Sequence, residues 1–429
     1  MTRPNLNAVA LVPENLEAPI GSTGFHVLRA IGVLPEWLFY QVQNGAFVEA
    51  MSTAVQGVVY PAVRPKDVNA YRVSIAPIPE QRRIVAAIEE QFTRLDAAVS
   101  SLQRARANLK RYRASVLARA VEGRLINTQA VSTRGNARSF TSEELLALAL
   151  VEPPDLANTF RHAEDAPTPA GGSARQYPGG WSSATIGQLA TRVQYGTSAK
   201  TDGRAEGIPI LRMGNIVDGR LRFEKLKYLP EDHVDLPGLM LEPGDILFNR
   251  TNSAELVGKS AVYRGQPNPC SFASYLIRVQ LAPGYDPDYL VFYLNSTHGR
   301  AWVKSVVSQQ VGQANVNGKK LQELVVPVPP IAEQLHIVQD AERRLSSVDE
   351  AEAAVNSSLK RAHRLRQTIL KRAFEGQLVP QDPTDEPASA LLERIRGERT
   401  SANGTVRPLR RRVSRVEQPT PAIQEPLPL

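Results

Sequence analysis

Residues 116–126 read VLARAVEGRLI, and residues 369–379 read ILKRAFEGQLV. Arg119-Ala120 and Glu122-Gly123 recur as Arg372-Ala373 and Glu375-Gly376, so the strings stand 253 residues apart in register. The match runs upstream without a gap. Glu80-Gln81 pairs with Glu333-Gln334, Ile84-Val85 with Ile337-Val338, Glu89 with Glu342, Asp96 with Asp349, and Arg111 and Arg113 with Arg364 and Arg366. Over residues 80–126, 15 of 47 positions are identical, and a period this long marks duplicated domains rather than a short-repeat solenoid.

Each copy is entered through a Pro-rich stretch, VSIAPIPEQ at 73–81 and VVPVPPIAEQ at 325–334. Proline is tolerated at a helix start and disfavoured inside, so both stretches read as a strand followed by a helix N-terminus. Phe39-Tyr40 falls opposite Phe292-Tyr293 at the same offset, which carries the repeat unit back before the helix. Beyond each entry the apolar residues recur at spacings of three and four. Ile88, Phe92, Leu95, Val99, Leu102, Leu109 and Val116 form one stripe; Ala341, Leu345, Val348, Val355, Ala362 and Ile369 form the other. Matching seams predict that the two helices pair. About forty residues at 1.5 Å each give rods of roughly 60 Å, and Gly123 and Gly376 stand where a glycine would end each one.

A chain of 429 residues has room for two or three domains. The spacing of turns and apolar runs divides it into a leading segment at 1–75, a first long helix at 76–126, and a linker with a short helix (142–150) at 127–175. An α+β domain follows at 176–327, then the second long helix at 328–379, a short helix at 380–400, and an Arg- and Pro-rich tail at 401–429 that is expected to be disordered. No apolar run approaches the eighteen or so residues that cross a bilayer. A single cysteine, Cys270, excludes an internal disulfide framework and fits a reducing cytoplasm. The net charge of +8 makes a polyanionic partner plausible, nucleic acid first.

Catalytic motifs are missing. Val257-Gly258-Lys259-Ser260 resembles the end of a phosphate loop, but Ser253 stands where its first glycine belongs. Glu152-Pro153-Pro154-Asp155 lacks the amide and aromatic residues of an amino-methyltransferase motif. The histidines show no metal spacing, and no Gly-x-Gly-x-x-Gly occurs. These blanks speak against a self-contained nuclease or methyltransferase.

A variable β-rich domain leads through Pro-x-Pro and Glu-Gln into a long helix ending in Arg-Ala-x-Glu-Gly-x-Leu, and the whole is duplicated. In this the chain resembles the specificity (S) subunits of type I restriction-modification systems over nearly its whole length. The resemblance rests on PIPEQRRIVAAIEEQ with VLARAVEGRL, and on PPIAEQLHIV with ILKRAFEGQLVPQDPTDEPASALLERI. It implies an α+β architecture in which target-recognition domains are joined by two long helices in an antiparallel coiled coil. Each recognition domain would read half of a split site in double-stranded DNA. The chain itself would be non-catalytic and bind no cofactor. Methyltransferase (M) and restriction (R) subunits would join it, bringing S-adenosylmethionine, ATP and Mg, in the cytoplasm and away from membranes. Under this reading Arg104, Arg106, Lys110, Arg111 and Arg113, with Lys360, Arg361, Arg364 and Arg366, would face DNA phosphates or acidic partner surfaces.

The period places the start of the first recognition domain some 80 residues before residue 1, so residues 1–75 match only its closing part. A misplaced start codon, a rearranged gene copy, or a missing part supplied by another chain would each account for this. The rival readings are a decayed S subunit that serves only as a docking scaffold, and a half-specificity subunit that works as a dimer. Base edges are read by polar and basic side chains on exposed loops. The candidates are Tyr195, Thr197, Ser198 and Lys200; Arg212 and Asn215; Arg250, Thr251, Asn252 and Lys259; and Gln313, Asn315 and Lys319.

Overall fold

The computed structural model describes residues 4–13, 15–17, 19–55, 62–125, 177–203, 206–253, 255–310 and 313–405. The expected linker helix at 142–150 and the tail beyond 405 lie outside them. Two compact units divide the chain, the first comprising Met1–Leu102 and Ser357–Leu429, the second Gln103–Asn356.

In the first unit, α1 (Pro35–Gln43) and α3 (Pro65–Asn69) each open on proline, whose missing N–H would be unpaired there in any case. Between them α2 (Gly45–Thr53) is capped by the Asn44 side chain, which accepts from the Ala46 N–H. The long helix α4 (Ile78–Val121) starts in this unit and ends in the other. Its opening turns bury Ile84, Val85, Ile88 and Phe92 with Trp37, Tyr40 and the last turns of a second long helix, Ile369, Leu370 and Ala373. That second helix is α10 (Ile331–Phe374); numbering rises along α4 as it falls along α10, so the two run antiparallel here. Arg366 lies 4.2 Å over the Phe92 ring and donates to Asp96 at 3.1 Å. A last helix, α11 (Ala388–Thr405), buries Leu391 and extends past residue 400, where the sequence reading had ended it.

The second unit is built on four small sheets and a hairpin. Its central sheet is antiparallel throughout, in the order β2 (Ala190–Tyr195), β11 (Leu276–Leu281), β7 (Ile246–Asn249) and β9 (Ser260–Val262). β7 is buried along its whole length, as its run ILFN requires of a strand covered on both faces. Beside it stand β10 (Ser271–Phe272), β3 (Ile208–Leu211) and β6 (Lys227–Leu229), with β10 parallel to β3. β1 (Ser182–Thr185) pairs antiparallel with β14 (Val325–Val328), and β12 (Ser308–Gln310), β13 (Gln313–Asn315) and β8 (Thr251–Asn252) form a third layer. Asp218-Gly219 turns the hairpin of β4 (Ile216–Val217) and β5 (Arg220–Leu221), both residues at positive φ as a type I′ turn demands. Among its described residues the unit also holds five short α-helices, α5 (Ile186–Leu189), α6 (Leu236–Leu239), α7 (Pro287–Asn295), α8 (Thr297–Val306) and α9 (Gly318–Gln322). Thr185, Asp286, Ser296 and Asn317 cap four of them with side-chain oxygens. The end of α4 (Val116, Leu117, Ala120, Val121) and the start of α10 (Ile337, Val338, Ala341, Leu345) belong to this unit's main core.

The duplication is visible in detail. Both long helices have 44 residues, and both close with a left-handed glycine, Gly123 at φ +67° and Gly376 at φ +71°. The N–H of Arg124 then reaches the carbonyl of Arg119 at 2.9 Å, and that of Gln377 the carbonyl of Arg372 at 2.8 Å, the six-to-one bond of a Schellman cap. At the helix entries Gln81 and Gln334 are fully buried. Gln81 accepts from the Leu34 N–H (3.0 Å) and donates to the Ala76 carbonyl (2.8 Å); Gln334 accepts from the Asp286 N–H (2.7 Å) and donates to the Pro329 carbonyl (2.8 Å). Each glutamine therefore pins the short helix α1 or α7 to the start of its long helix.

Two readings from sequence are corrected. The caps of α1 and α7, Leu34 and Asp286, stand 252 apart, so Phe39-Tyr40 is one position out of register with Phe292-Tyr293; the 253 offset resumes at the caps of α3 and α9, Arg64 and Asn317. The stretch before the first long helix is not a strand. Its counterpart β14 is one because β1 pairs with it, and Arg72–Ile75 has no such neighbour among the described residues.

The seam is most closely packed near the ends of the two long helices. Val116, Leu345, Val348 and Ile369 are buried, whereas Leu95, Val99, Leu102, Leu109, Val355 and Ala362 are half-buried. Arg113 does not face outward as a free cation: it binds Asp349 and, at 3.3 Å, Glu352. Arg366 is likewise engaged, with Asp96 and Phe92. Arg106, Lys110 and Arg111 in the second unit, and Lys360, Arg361 and Arg364 in the first, are exposed.

Candidate nucleic-acid interface

Polar and aromatic groups gather where β2, β8 and β13 end. Tyr195 closes β2, and its hydroxyl accepts the N–H of Gly318, the first residue of α9, at 2.6 Å. Arg250 lies between β7 and β8 with its guanidinium 4.8 Å over the Tyr195 ring. Its backbone is fixed on both sides, the N–H donating to Tyr275 (3.0 Å) and the carbonyl accepting from Val316 (2.9 Å). One terminal nitrogen donates to the Ser274 carbonyl at 3.2 Å, while the buried Nε has no hydrogen-bond partner among the described residues. Thr251 Oγ1 donates to Asn315 Oδ1 at 3.3 Å across the β8–β13 pair. Tyr195 and Tyr275 remain 43% and 48% exposed, the first with its ring under the half-buried arginine and the second joined to it through the backbone. Such a face offers donors, acceptors and a stacking surface to base edges and phosphates.

The structure sorts the residues singled out from sequence. Tyr195, Arg250, Thr251 and Asn315 belong to this cluster; Asn252 continues β8, and Lys319 is exposed on α9. Gln313 belongs to β13. Ser198 and Lys200 are exposed on the loop after β2. Thr197 is buried, its hydroxyl donating to Asp235 (2.6 Å) and accepting from the Ala199 N–H, so it braces that loop and reads nothing. Asn215 is buried as well. Its amide donates to the carbonyls of Arg222 and Glu224 and its oxygen accepts the Arg212 N–H, which uses up the side chain on the β4–β5 hairpin. Arg212 donates to the Lys225 carbonyl beside it. Lys259 lines a separate cavity of about 500 Å³ with Arg113, Arg220 and Arg300. Tyr275 was not singled out; a lone aromatic ahead of a strand reads as core, and only its place beside Arg250 distinguishes it.

Residues 178–360 match the model of the type I restriction modification DNA specificity domain. In sequence the chain is similar to the specificity subunits of type I restriction enzymes. It is 26% identical over 352 residues to the EcoKI specificity subunit of Escherichia coli (strain K12), a match covering 80% of this chain and 67% of that protein. The StySPI specificity subunit of Salmonella potsdam is 25% identical over 382 residues, covering 87% and 73%. The fold is also that of a chain from a solved type I restriction-modification assembly, with a TM-score of 0.57 and 24% identity over 88% of this chain and 80% of that one. The stretch that resembles a DNA specificity domain thus includes most of the second unit. No helix of the described residues is long and apolar enough to cross a membrane.

Proposed function

We propose that the subunit reads DNA through the Tyr195–Arg250 face, as the non-catalytic recognition part of a cytoplasmic complex. The observation that carries this is Arg250, half-buried, held over the exposed Tyr195 ring and fixed through its backbone to Tyr275 and Val316. An arginine positioned in this way is pre-organised for a guanine edge or a phosphate. Methyltransferase and restriction subunits would supply the S-adenosylmethionine, ATP and Mg chemistry, docking in part on the exposed cations of the long helices. The target would be split, with the second unit reading one half.

Co-expression with a cognate M subunit, followed by mapping of methylated adenines in the genome, tests the reading. A bipartite motif, one half of which degenerates in Arg250→Ala, is the expected result. A motif unchanged by Arg250→Ala and Tyr275→Ala together would overturn the placement of the face. A palindrome built from one half-site would favour a half-specificity dimer.

A further inference from the structure

The phosphate-loop-like string Val257-Gly258-Lys259-Ser260 ends at the cavity of about 500 Å³ in the second unit. Gly258 sits at φ +85° with α8 packed against it: a Cβ there would meet Val303 at 2.5 Å and a terminal nitrogen of Arg300 at 3.2 Å. This close approach lets Arg300 donate to the carbonyl of Val257 and, at 2.6 Å, to that of Glu255. String and helix thus bring Lys259 and Arg300 to the same cavity, and the β4–β5 hairpin adds Arg220.

The charges that line the cavity do not cancel pair by pair. Arg113 is spent on Asp349 and Glu352, and Arg264 on Asp288 and Glu342. The side chains of Lys259 and Arg300 meet no carboxylate within ion-pair distance among the described residues, and Arg220 meets only Asp349, at 3.5 Å. Arg300 is half-buried, and burial lowers its pKa with no acid beside it to raise it again. Asp218 and Glu255, the carboxylates left over, are exposed to water. Phe223, 43% exposed, and the buried Phe292 add two rings to the lining. Partly desolvated cations beside apolar rings, in a space of this size, are the ingredients of a small-molecule site for an anion.

The repeat supplies a comparison within the chain. Phe39, Tyr40 and Gln43 of α1, Glu89 and Phe92 of α4, and Arg366 of α10 line a cleft of about 490 Å³ in the first unit. Their counterparts Val291, Phe292, Asn295, Glu342, Leu345 and Arg113 line the cavity of the second. The helical wall is therefore duplicated, whereas Lys259, Arg300, Arg220 and Phe223 line only the second site; the one cation of the first cleft, Arg366, is spent on Asp96. We propose that the second-unit cavity binds a mononucleotide, one per chain, with its phosphate on Lys259, Arg300 and Arg220 and its base against Phe223 and Phe292. Guanidinium and ammonium groups give charge-assisted bonds to phosphate oxygens, and aromatic rings stack on any base. Inorganic phosphate would leave the rings and most of the volume unused. The exposed Asp218 and Glu255 are placed to accept from sugar hydroxyls. Binding here is independent of DNA recognition at the Arg250 face.

Isothermal titration of the full chain with adenosine monophosphate (AMP) is the test. One site per chain is expected, with adenosine and inorganic phosphate each binding at least about ten-fold more weakly than AMP. Lys259→Met and Phe223→Ala should each weaken AMP by about ten-fold, with urea midpoints close to the parent's as the check that both variants fold. Glu89→Gln in the first-unit cleft and Arg250→Ala on the DNA face should leave AMP binding unchanged. No heat at millimolar AMP, two sites per chain, equal affinity for adenosine or for inorganic phosphate, or full affinity in Lys259→Met would each overturn the proposal. Displacement of AMP by a short DNA duplex would overturn it too, assigning the cavity to the DNA backbone.

Discussion

Arg113 donates to Asp349 in the second unit, and the residues 253 positions away from each, Arg366 and Asp96, make the same pair in the first. Exchanging the copies exchanges the helices: the arginine sits on α4 in one pair and on α10 in the other. In both pairs the residue numbers add to the same total, which fixes one antiparallel register for the seam. The settings differ. The Arg113 side chain is 14% exposed and also meets Glu352, while Arg366 and Asp96 are 37% and 58% exposed.

Double-mutant cycles on the two pairs should therefore give unequal couplings. About 1–2 kcal/mol is expected for Arg113 with Asp349, and well under 1 kcal/mol for Arg366 with Asp96, where water screens the charges. Chemical denaturation of the alanine variants measures both; equal couplings would contradict the difference in burial.

The two capping glycines should also respond unequally. A Cβ on Gly123 would meet Pro178 at 2.5 Å and Trp181 at 2.9 Å, whereas one on Gly376 meets only the flexible Gln381 amide at 3.3 Å. Both positions carry the left-handed penalty of roughly 1 kcal/mol. Gly376→Ala should cost about that amount and Gly123→Ala about 1–3 kcal/mol more, and matched denaturant midpoints would count against this packing.

Arg278→Ala should destabilise the second unit by about 3–5 kcal/mol, because it leaves Asp245 buried beside unpaired carbonyls. Arg29→Ala, on an exposed side chain, should fall within about 0.5 kcal/mol of the parent in the isolated chain. Thermal unfolding resolves the two.

Asp288 has a pH signature. Burial raises its carboxyl from the ordinary 3.8 to about 6, opposed by Arg264, which donates to it at 2.6 Å. The unfolded chain thus releases this proton at lower pH than the folded one, and the group's contribution to stability falls as pH rises from about 4 to 6. Asp288→Asn should gain on the parent across that window, by at most about 3 kcal/mol at neutral pH. A difference that stays flat between pH 4 and 7 would refute it.

The long helices could be read from the sequence because their evidence is periodic and written twice. Their ends, their pairing and the glycine caps all follow from one offset, while the antiparallel sense came only from the family resemblance. The glutamine pins could not be read so easily. A glutamine after a glutamate looks like helix surface, and only the arrival of α1 or α7 overhead turns Gln81 and Gln334 into buried clamps. The recognition loops misled in the opposite direction. Thr197 and Asn215 sit in turn-rich strings that suggest exposure, yet Thr197 donates its hydroxyl to the Asp235 carboxylate and Asn215 spends its amide on backbone, partners that local sequence does not reveal. The one-residue slip at α1 stayed hidden because the regained residue restored the register before the long helix began.

Cys270 is fully buried, its thiol donating to the Pro209 carbonyl at 3.4 Å and pushed up by burial to about 12, and it is the single cysteine of the chain. At neutral pH it stays protonated and out of reach of thiol reagents. A cysteine introduced at Tyr275 or Lys319 would then take up a maleimide dye alone, without prior removal of the native residue. The chain is in effect pre-adapted for single-site fluorescence, and a probe at either position would report directly on what approaches the Arg250 face.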